Sequence, residues 1–182
     1  MADQSDKKVS AEGIAAAASK AAKDGGLPPV HLWNPPFCGD LDMEIRADGT
    51  WFYQGTPIAR PAMVRLFSTV LKREGDRYFL VTPVEKVGIR VLDAPFIATD
   101  ADILHDRITF TTNVGDQVTA DADHPITIRG DASTPRPYVM VRAGLEALID
   151  RKTFYRLAAA AGDGPEGRVG VRSTGQFFAL EP

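Results

Sequence analysis

Met43-Glu44-Ile45, then Ala47-Asp48-Gly49-Thr50, then Trp51-Phe52-Tyr53 is the stretch from which the rest of this chain is read. Two short runs flank an Asp-Gly step, which supplies the positive φ values of a tight reversal, so the stretch reads as a β-hairpin. Asp40, Asp42 and Glu44 alternate with Leu41, Met43 and Ile45, and a period of two sends the carboxylates to one face. Pro57-Ile58, Arg60, an amphipathic helical stretch and a second hairpin follow. The same order returns further on. Ile108-Thr109-Phe110 turns through Asn113-Val114-Gly115-Asp116 into Gln117-Val118-Thr119, and Pro125-Ile126, Arg142, a helical stretch and a hairpin come after it. A repeated order of this size implies two related modules, with a ligand expected in the groove between them.

Outward from the hairpins, local signals place the other elements. Ser10 caps a peripheral alanine-rich helix over 11–23, stopped by Gly25-Gly26. Pro61 opens a helix over 61–73, where Val64, Phe67 and Leu71 recur at helical spacing. Residues 78–81 and 87–92 read as strands broken by Thr82-Pro83, and 94–98 as another. Thr134-Pro135-Arg136-Pro137-Tyr138 reads as a loop leading into a strand over 138–141. Leu145, Leu148, Ile149, Tyr155 and Ala158 line a helix over 144–161, and 169–180 closes as a hairpin through Ser173-Thr174-Gly175. The fold class is α+β: two related modules of antiparallel strands, each packed with a helix. The expected divisions are 1–26 for the alanine-rich helix and tail, 27–93 for the first module and 94–182 for the second.

Composition sets bounds on function. The chain has 182 residues, 44% hydrophobic and 25% charged, as an ordinary soluble domain does. A formal charge of -3 carries no global footprint for duplex nucleic acid, although the part from Arg129 onward is mildly basic. Cys38 is the only cysteine, which excludes an intrachain disulfide and a cysteine-only metal site; without basic neighbours it is expected to be a buried, inert thiol. The mixed-charge start is unlike a signal peptide, and the alanine run 14–22 is too short and polar to span a bilayer, so no membrane association and a cytoplasmic location are expected.

Several short motifs together carry a family resemblance. Trp33-Asn34-Pro35, Gly39 through Ile45, Asp48-Gly49-Thr50-Trp51-Phe52-Tyr53, Pro57-Ile58-Ala59-Arg60 and Leu66-Phe67-Ser68 are among them. So are Leu80 through Lys86, Asp93-Ala94-Pro95-Phe96, Thr112-Asn113 with Gly115-Asp116, His124-Pro125, and Tyr138-Val139…Arg142 with Arg151…Phe154-Tyr155. The combination, over residues 28–157, resembles the bacterial DUF1285 family. The resemblance implies two related modules, the second loosely pleckstrin-homology-like. It also implies a groove that binds a nucleotide or nucleic-acid-like ligand in signalling, with no activity attached.

The residues themselves nominate a site. Arg60 and Arg142 each stand immediately before an expected helix that has no Ser, Thr, Asp or Asn cap, and a guanidinium beside open backbone N–H groups suits a phosphate or carboxylate. The competing reading pairs Arg142 with Glu146 and Arg60 with a carboxylate such as Asp93. Arg151 is a third donor; Trp51 and Tyr138 are candidates to stack a base, with Tyr53, Phe154 and Tyr155 as further aromatics. Asn113 borders a hairpin turn, and His124, preceded by Asp121 and Asp123, is the best general-base candidate. Asp40, Asp42 and Glu44 are either a cation site or a solvated acidic face. Gly162, Gly164 and Gly167 have dinucleotide-loop spacing but follow a helix, and Pro165 removes a donor, so no cofactor is expected. No phosphate-cradling Walker loop, lipase-type serine elbow or zinc-protease pattern occurs.

These readings combine into a non-enzymatic regulatory or ligand-sensing protein that holds an anionic, nucleotide-like molecule on Arg60, Arg142 and Arg151. The alternatives are a hydrolase or transferase using His124 with Asp123 or Asp93, and a protein-interaction module.

Overall fold

The structure, a computed structural model, describes residues 8–22 and 26–182. Its contacts divide the chain into two units, Met1–Arg46 with Thr50–Val91, and Ala47–Gly49 with Leu92–Pro182.

The first unit begins with α1 (Ala11–Ala21), whose Ser10 cap accepts from Gly13 N at 3.1 Å. The expected helix end at Lys23 and Gly25 lies outside the described residues. Ala11, Ile14, Ala15 and Ala18 form a buried stripe that packs against α2 (Pro61–Thr69), a tighter attachment than a peripheral helix has. A six-stranded sheet follows, formed by β1 (Phe37–Ile45), β2 (Trp51–Tyr53), β3 (Thr56–Pro57), β4 (Leu71–Glu74), β5 (Arg77–Val81) and β6 (Lys86–Val91) in the order β3-β2-β1-β6-β5-β4. The expected hairpin is present: Ile45 pairs with Trp51, and Gly49 takes φ +85° at the turn. Helix α2 is shorter than its periodicity implied. Leu71 has helical spacing from Phe67 but pairs with Leu80 as the first residue of β4. Sheet pairing at an edge outcompetes local periodicity there.

The second unit contains β7 (Phe96–Ile103), β8 (Ile108–Thr112), β9 (Gln117–Thr119), β10 (Ile126–Asp131), β11 (Thr134–Arg142) and β12 (Leu145–Ile149), ordered β10-β11-β12-β7-β8-β9. Helix α3 (Arg151–Ala159) and a small sheet of β13 (Gly162–Asp163), β14 (Val169–Ser173) and β15 (Gln176–Ala179) complete it. Two readings are corrected here. The helix expected from residue 144 begins at Arg151, and 145–149 is a strand. Leu145, Leu148 and Ile149 matched a helical period by chance; burial alternates instead, with Leu145, Ala147 and Ile149 inside and Glu146 and Leu148 half-buried. Ala143 and Gly144, at φ +45° and +78°, make the two-residue turn that returns the chain from β11 into β12. Residues 134–138, expected as a loop, form the first half of β11 despite two prolines.

Both sheets have one topology. Each is a pair of three-stranded antiparallel meanders joined through a central parallel pair, β1–β6 in the first and β7–β12 in the second. The α+β class and the internal repeat therefore hold, with mixed rather than purely antiparallel sheets. The register of the repeat differs from the one read above: topology equates β1–β2 with β7–β8, so the Ile108–Val118 hairpin is one strand out of step with the Met43–Tyr53 hairpin. In a meander every hairpin looks like the next, so a shift of one strand keeps the pattern. The helices also differ in place: α2 lies between the third and fourth strands, α3 after the sixth.

Candidate functional site

A concavity in the second unit arises from unequal strand lengths. The β10–β11 ladder runs out to Asp131↔Thr134, while the β11–β12 ladder ends at Tyr138↔Leu148. Residues 134–137 of β11 therefore overhang the end of β12. Pro135 and Pro137 fall in that overhang and carry no N–H, so this edge offers few donors for another strand to pair with. Below it the chain turns into α3. A cleft of about 660 Å³ opens here, lined by Pro135, Arg136 and Pro137 from the hairpin and by Arg151, Phe154 and Tyr155 from the helix. Its size suits a small organic ligand.

On one wall Arg136 is held in place by two side chains outside the lining, Tyr138 and Asp93. Arg136 Nε donates to the Tyr138 hydroxyl at 3.1 Å and Nη2 to Asp93 Oδ2 at 2.6 Å, and the Tyr138 hydroxyl donates to Asp93 Oδ1 at 2.7 Å. Burial pushes the Tyr138 hydroxyl above its ordinary pKa, so it stays a neutral donor. The hydrogen bonds to Tyr138 and Asp93 raise the Arg136 guanidinium further. Arg136 keeps half of its side chain exposed, and its Nη1 makes no hydrogen bond among the described residues. The guanidinium of Arg129 covers the Tyr138 ring at 4.5 Å and is itself held bidentately by Glu146 at 2.9 and 2.7 Å.

The opposite wall is the first turn of α3. Contrary to expectation this helix has a cap: Asp150 accepts from Thr153 N at 2.8 Å. Arg151 and Lys152 then place two cations at the positive end of the helix dipole, where anions are preferred. Lys152 donates to Thr99 O at 2.8 Å. Arg151 is exposed and makes no ion pair among the described residues. Tyr155, 62% exposed, offers an open ring beside it.

The other nominated residues are placed as follows. Arg142 does not start a helix; it ends β11, forms an ion pair with Asp116 rather than Glu146, and lies 5.0 Å from the Phe96 ring. Tyr138 is buried, with its ring covered and its hydroxyl bonded, so it supports the cleft wall and offers no stacking face. Asn113 belongs to the sheet: its Oδ1 accepts from Ile97 N at 3.0 Å and its own N–H donates to Ile97 O at 2.9 Å. His124 Nδ1 lies 2.8 Å from Asp121 Oδ1, which also accepts from the backbone of Asp123 and His124. The bond to His124 holds the Asp121 carboxyl below the usual range.

In the first unit, Arg60 precedes α2 as expected, without a side-chain cap, and makes no ion pair among the described residues. Trp51 is 1% exposed and stacked on Phe67 with ring centroids 6.2 Å apart, so both faces are enclosed. Asp40, Asp42 and Glu44 are neutralised by arginines: Asp40 by Arg77 at 2.7 Å, Asp42 by Arg90 at 3.0 Å, and Glu44 by Arg46 and Arg90 at 3.1 and 3.3 Å. No group of potential metal ligands occurs among the described residues. Cys38 is exposed rather than buried, because β1 begins beyond the covered part of the sheet; its thiol donates to Pro36 O at 3.3 Å. Sequence reasoning passed over Arg136. Its signal was the alternation Pro135-Arg136-Pro137 ahead of an apolar run, a pattern a strand tolerates where it has no neighbour to pair with.

Among the described residues no helix is long and apolar enough to cross a membrane. A comparison with curated proteins gives no match. Among solved structures, a DUF1285 family protein from Silicibacter pomeroyi DSS-3 is 58% identical at a TM-score of 0.85, covering 93% of this chain and 94% of its own. A DUF1285 family protein from Shewanella baltica OS155 is 28% identical at a TM-score of 0.52, covering 64% of this chain and 89% of its own. The DUF1285 N-terminal domain of unknown function matches residues 28–94, and the family's C-terminal domain matches 95–180. With most of the chain, residues 28–180, matched by two consecutive domains, this protein belongs to the DUF1285 family.

Proposed function

We propose that this protein is a non-enzymatic regulatory or ligand-sensing protein, acting in the cytoplasm, whose second unit binds an anionic ligand with a nucleotide-like aromatic body. The ligand lies in the cleft between the β10–β11 hairpin and α3. One observation carries this reading. Arg151, which stands at a helix N-terminus and makes no ion pair among the described residues, lines the same cleft as the exposed ring of Tyr155. A guanidinium in that position favours an oxyanion, and the ring gives a planar body a surface to stack on. The hydrolase or transferase alternative has less support. It calls for His124 with Asp123 or Asp93, whereas Asp121 holds His124, and Asp93 is engaged by Arg136 and Tyr138.

A thermal-shift screen of mononucleotides, sugar phosphates and aromatic carboxylates tests the reading. A ligand present at a hundred times its dissociation constant stabilises the protein by about 2.7 kcal/mol, enough to move the midpoint visibly. The expected result is a shift that Arg151→Ala removes without lowering the midpoint of the free protein. A shift that survives Arg151→Ala, or no shift with any of these compounds, would overturn the site.

A further inference from the structure

The charges around the cleft define what kind of anion it takes. Two guanidiniums line it, those of Arg136 and Arg151. Three carboxylates outside the lining lie next to lining residues: Asp93, bonded to Arg136; Asp131, bonded to Ser133 and Thr134 at the tip of the hairpin; and Asp150, which precedes Arg151 and caps α3. Lys152, in the same helical turn, is committed to Thr99 O, and Arg129 is neutralised by Glu146. A polyphosphate site concentrates uncompensated cations, and here each lining cation has a carboxylate beside it or next to it in sequence. Arg136 is also restricted in what it can offer. Of its five N–H groups, the Nε–H and one Nη2–H are held by Tyr138 and Asp93, so that edge is taken and the Nη1 hydrogens with the second Nη2–H remain, enough for the two oxygens of one singly charged group.

Resting on the anion-binding reading above, we infer that the cleft takes a ligand with one negative charge on an apolar planar body, a phosphodiester or a carboxylate. The open end of the Arg136 guanidinium shares that charge with Arg151, and Asp93 and Tyr138 are positioning residues that hold the Arg136 guanidinium ready. A side chain fixed before the ligand arrives loses little entropy on binding, so its contact adds affinity at little cost. Asp93 also repels a second ligand charge. The cleft therefore selects by charge as well as by shape.

The test uses the full-length protein with isotope-labelled arginine side chains, titrated at constant ionic strength with 3′,5′-cyclic AMP, AMP, ATP and indole-3-acetate. Cyclic AMP is expected to bind more tightly than AMP by about threefold or more, the scale of a single partly screened charge, and ATP more weakly still. Asp93→Asn is expected to shrink that ratio. A merely structural role would weaken all three nucleotides alike and leave the ratio standing. Tyr138→Phe keeps the ring under Arg129, so it is expected to stay folded while the Arg136 Nε–H becomes mobile and fast-exchanging in the free protein. Affinity that rises with ligand charge, or an Arg136 already mobile in the unaltered protein, overturns this inference while leaving anion binding intact. If none of the four probes shifts the Arg136 or Arg151 signals, the anion-binding reading falls and takes this one with it. Binding by indole-3-acetate and not cyclic AMP assigns the charge to a carboxylate; the reverse assigns it to a phosphodiester.

Discussion

At the tip of the β10–β11 hairpin one carboxylate oxygen organises the turn. Asp131 Oδ1 accepts from Ser133 N at 2.8 Å, Ser133 Oγ at 2.5 Å, Thr134 N at 2.9 Å and Thr134 Oγ1 at 3.1 Å. These bonds, the Ser133 hydroxyl foremost, lower the Asp131 pKa from 3.8 to about 2. A depressed folded-state value means that the charged form stabilises the fold. That contribution is complete above pH 3.8, declines as pH falls below it, and is gone once pH passes about 2. A carboxyl carbon titration by NMR should find Asp131 near that value, with Ser133→Ala moving it upward. A titration at the ordinary aspartate value would show that the turn is not held this way. Tyr138 makes a different point at the same scale. As a residue type it suggested stacking, but a ring covered by Arg129 and a hydroxyl spent on Asp93 leave it only a supporting part.

Among the elements, α3 depends on its first turn. With a cation at each of its first two positions, its macrodipole is opposed from the start, and Asp150 is the one carboxylate that compensates while closing the Thr153 N–H. Asp150→Ala should cost about 0.5–2 kcal/mol in urea unfolding at neutral pH, with Asp150→Asn recovering most of it. Equal losses for the two would mean that charge rather than hydrogen bonding carries the cap. Strand β12 shows how close two assignments can lie. Leu145, Leu148 and Ile149 satisfy a helix, and Leu145, Ala147 and Ile149 satisfy a strand. The positive φ values at Ala143 and Gly144 decide for the strand, because they return the chain directly alongside β11. With that turn in place Arg142 ceases to be a helix-start residue, and Arg136, at the far end of the same strand, becomes the guanidinium on the cleft.

For the whole molecule, the two sheets share a closure that is costly in chain entropy. Each joins its first strand to its last in parallel, as Glu44↔Arg90 and Phe96↔Ala147 show. Contacts this far apart in sequence slow folding, so refolding by stopped flow should fall in the millisecond-to-second range. Microsecond refolding would mean that the local hairpins, not these parallel pairs, limit the rate. The amino-acid sequence by itself determined the α+β class, the two-module repeat, the Asp48-Gly49 hairpin and the start of α2 at Pro61. Each rests on a local cause: side-chain period, a residue that tolerates positive φ, or a proline at a first turn. The placement of the stacking, ion-pairing and buried side chains was beyond it. Trp51 went inside, Arg142 took Asp116, and the acidic stripe of β1 took arginines from β5 and β6, which are distant in sequence. The repeat register and the cleft were likewise decided only by tertiary structure. Both depend on which strand lies beside which and where a neighbour ends, and pairing across tens of residues leaves no periodic mark on the chain that makes it.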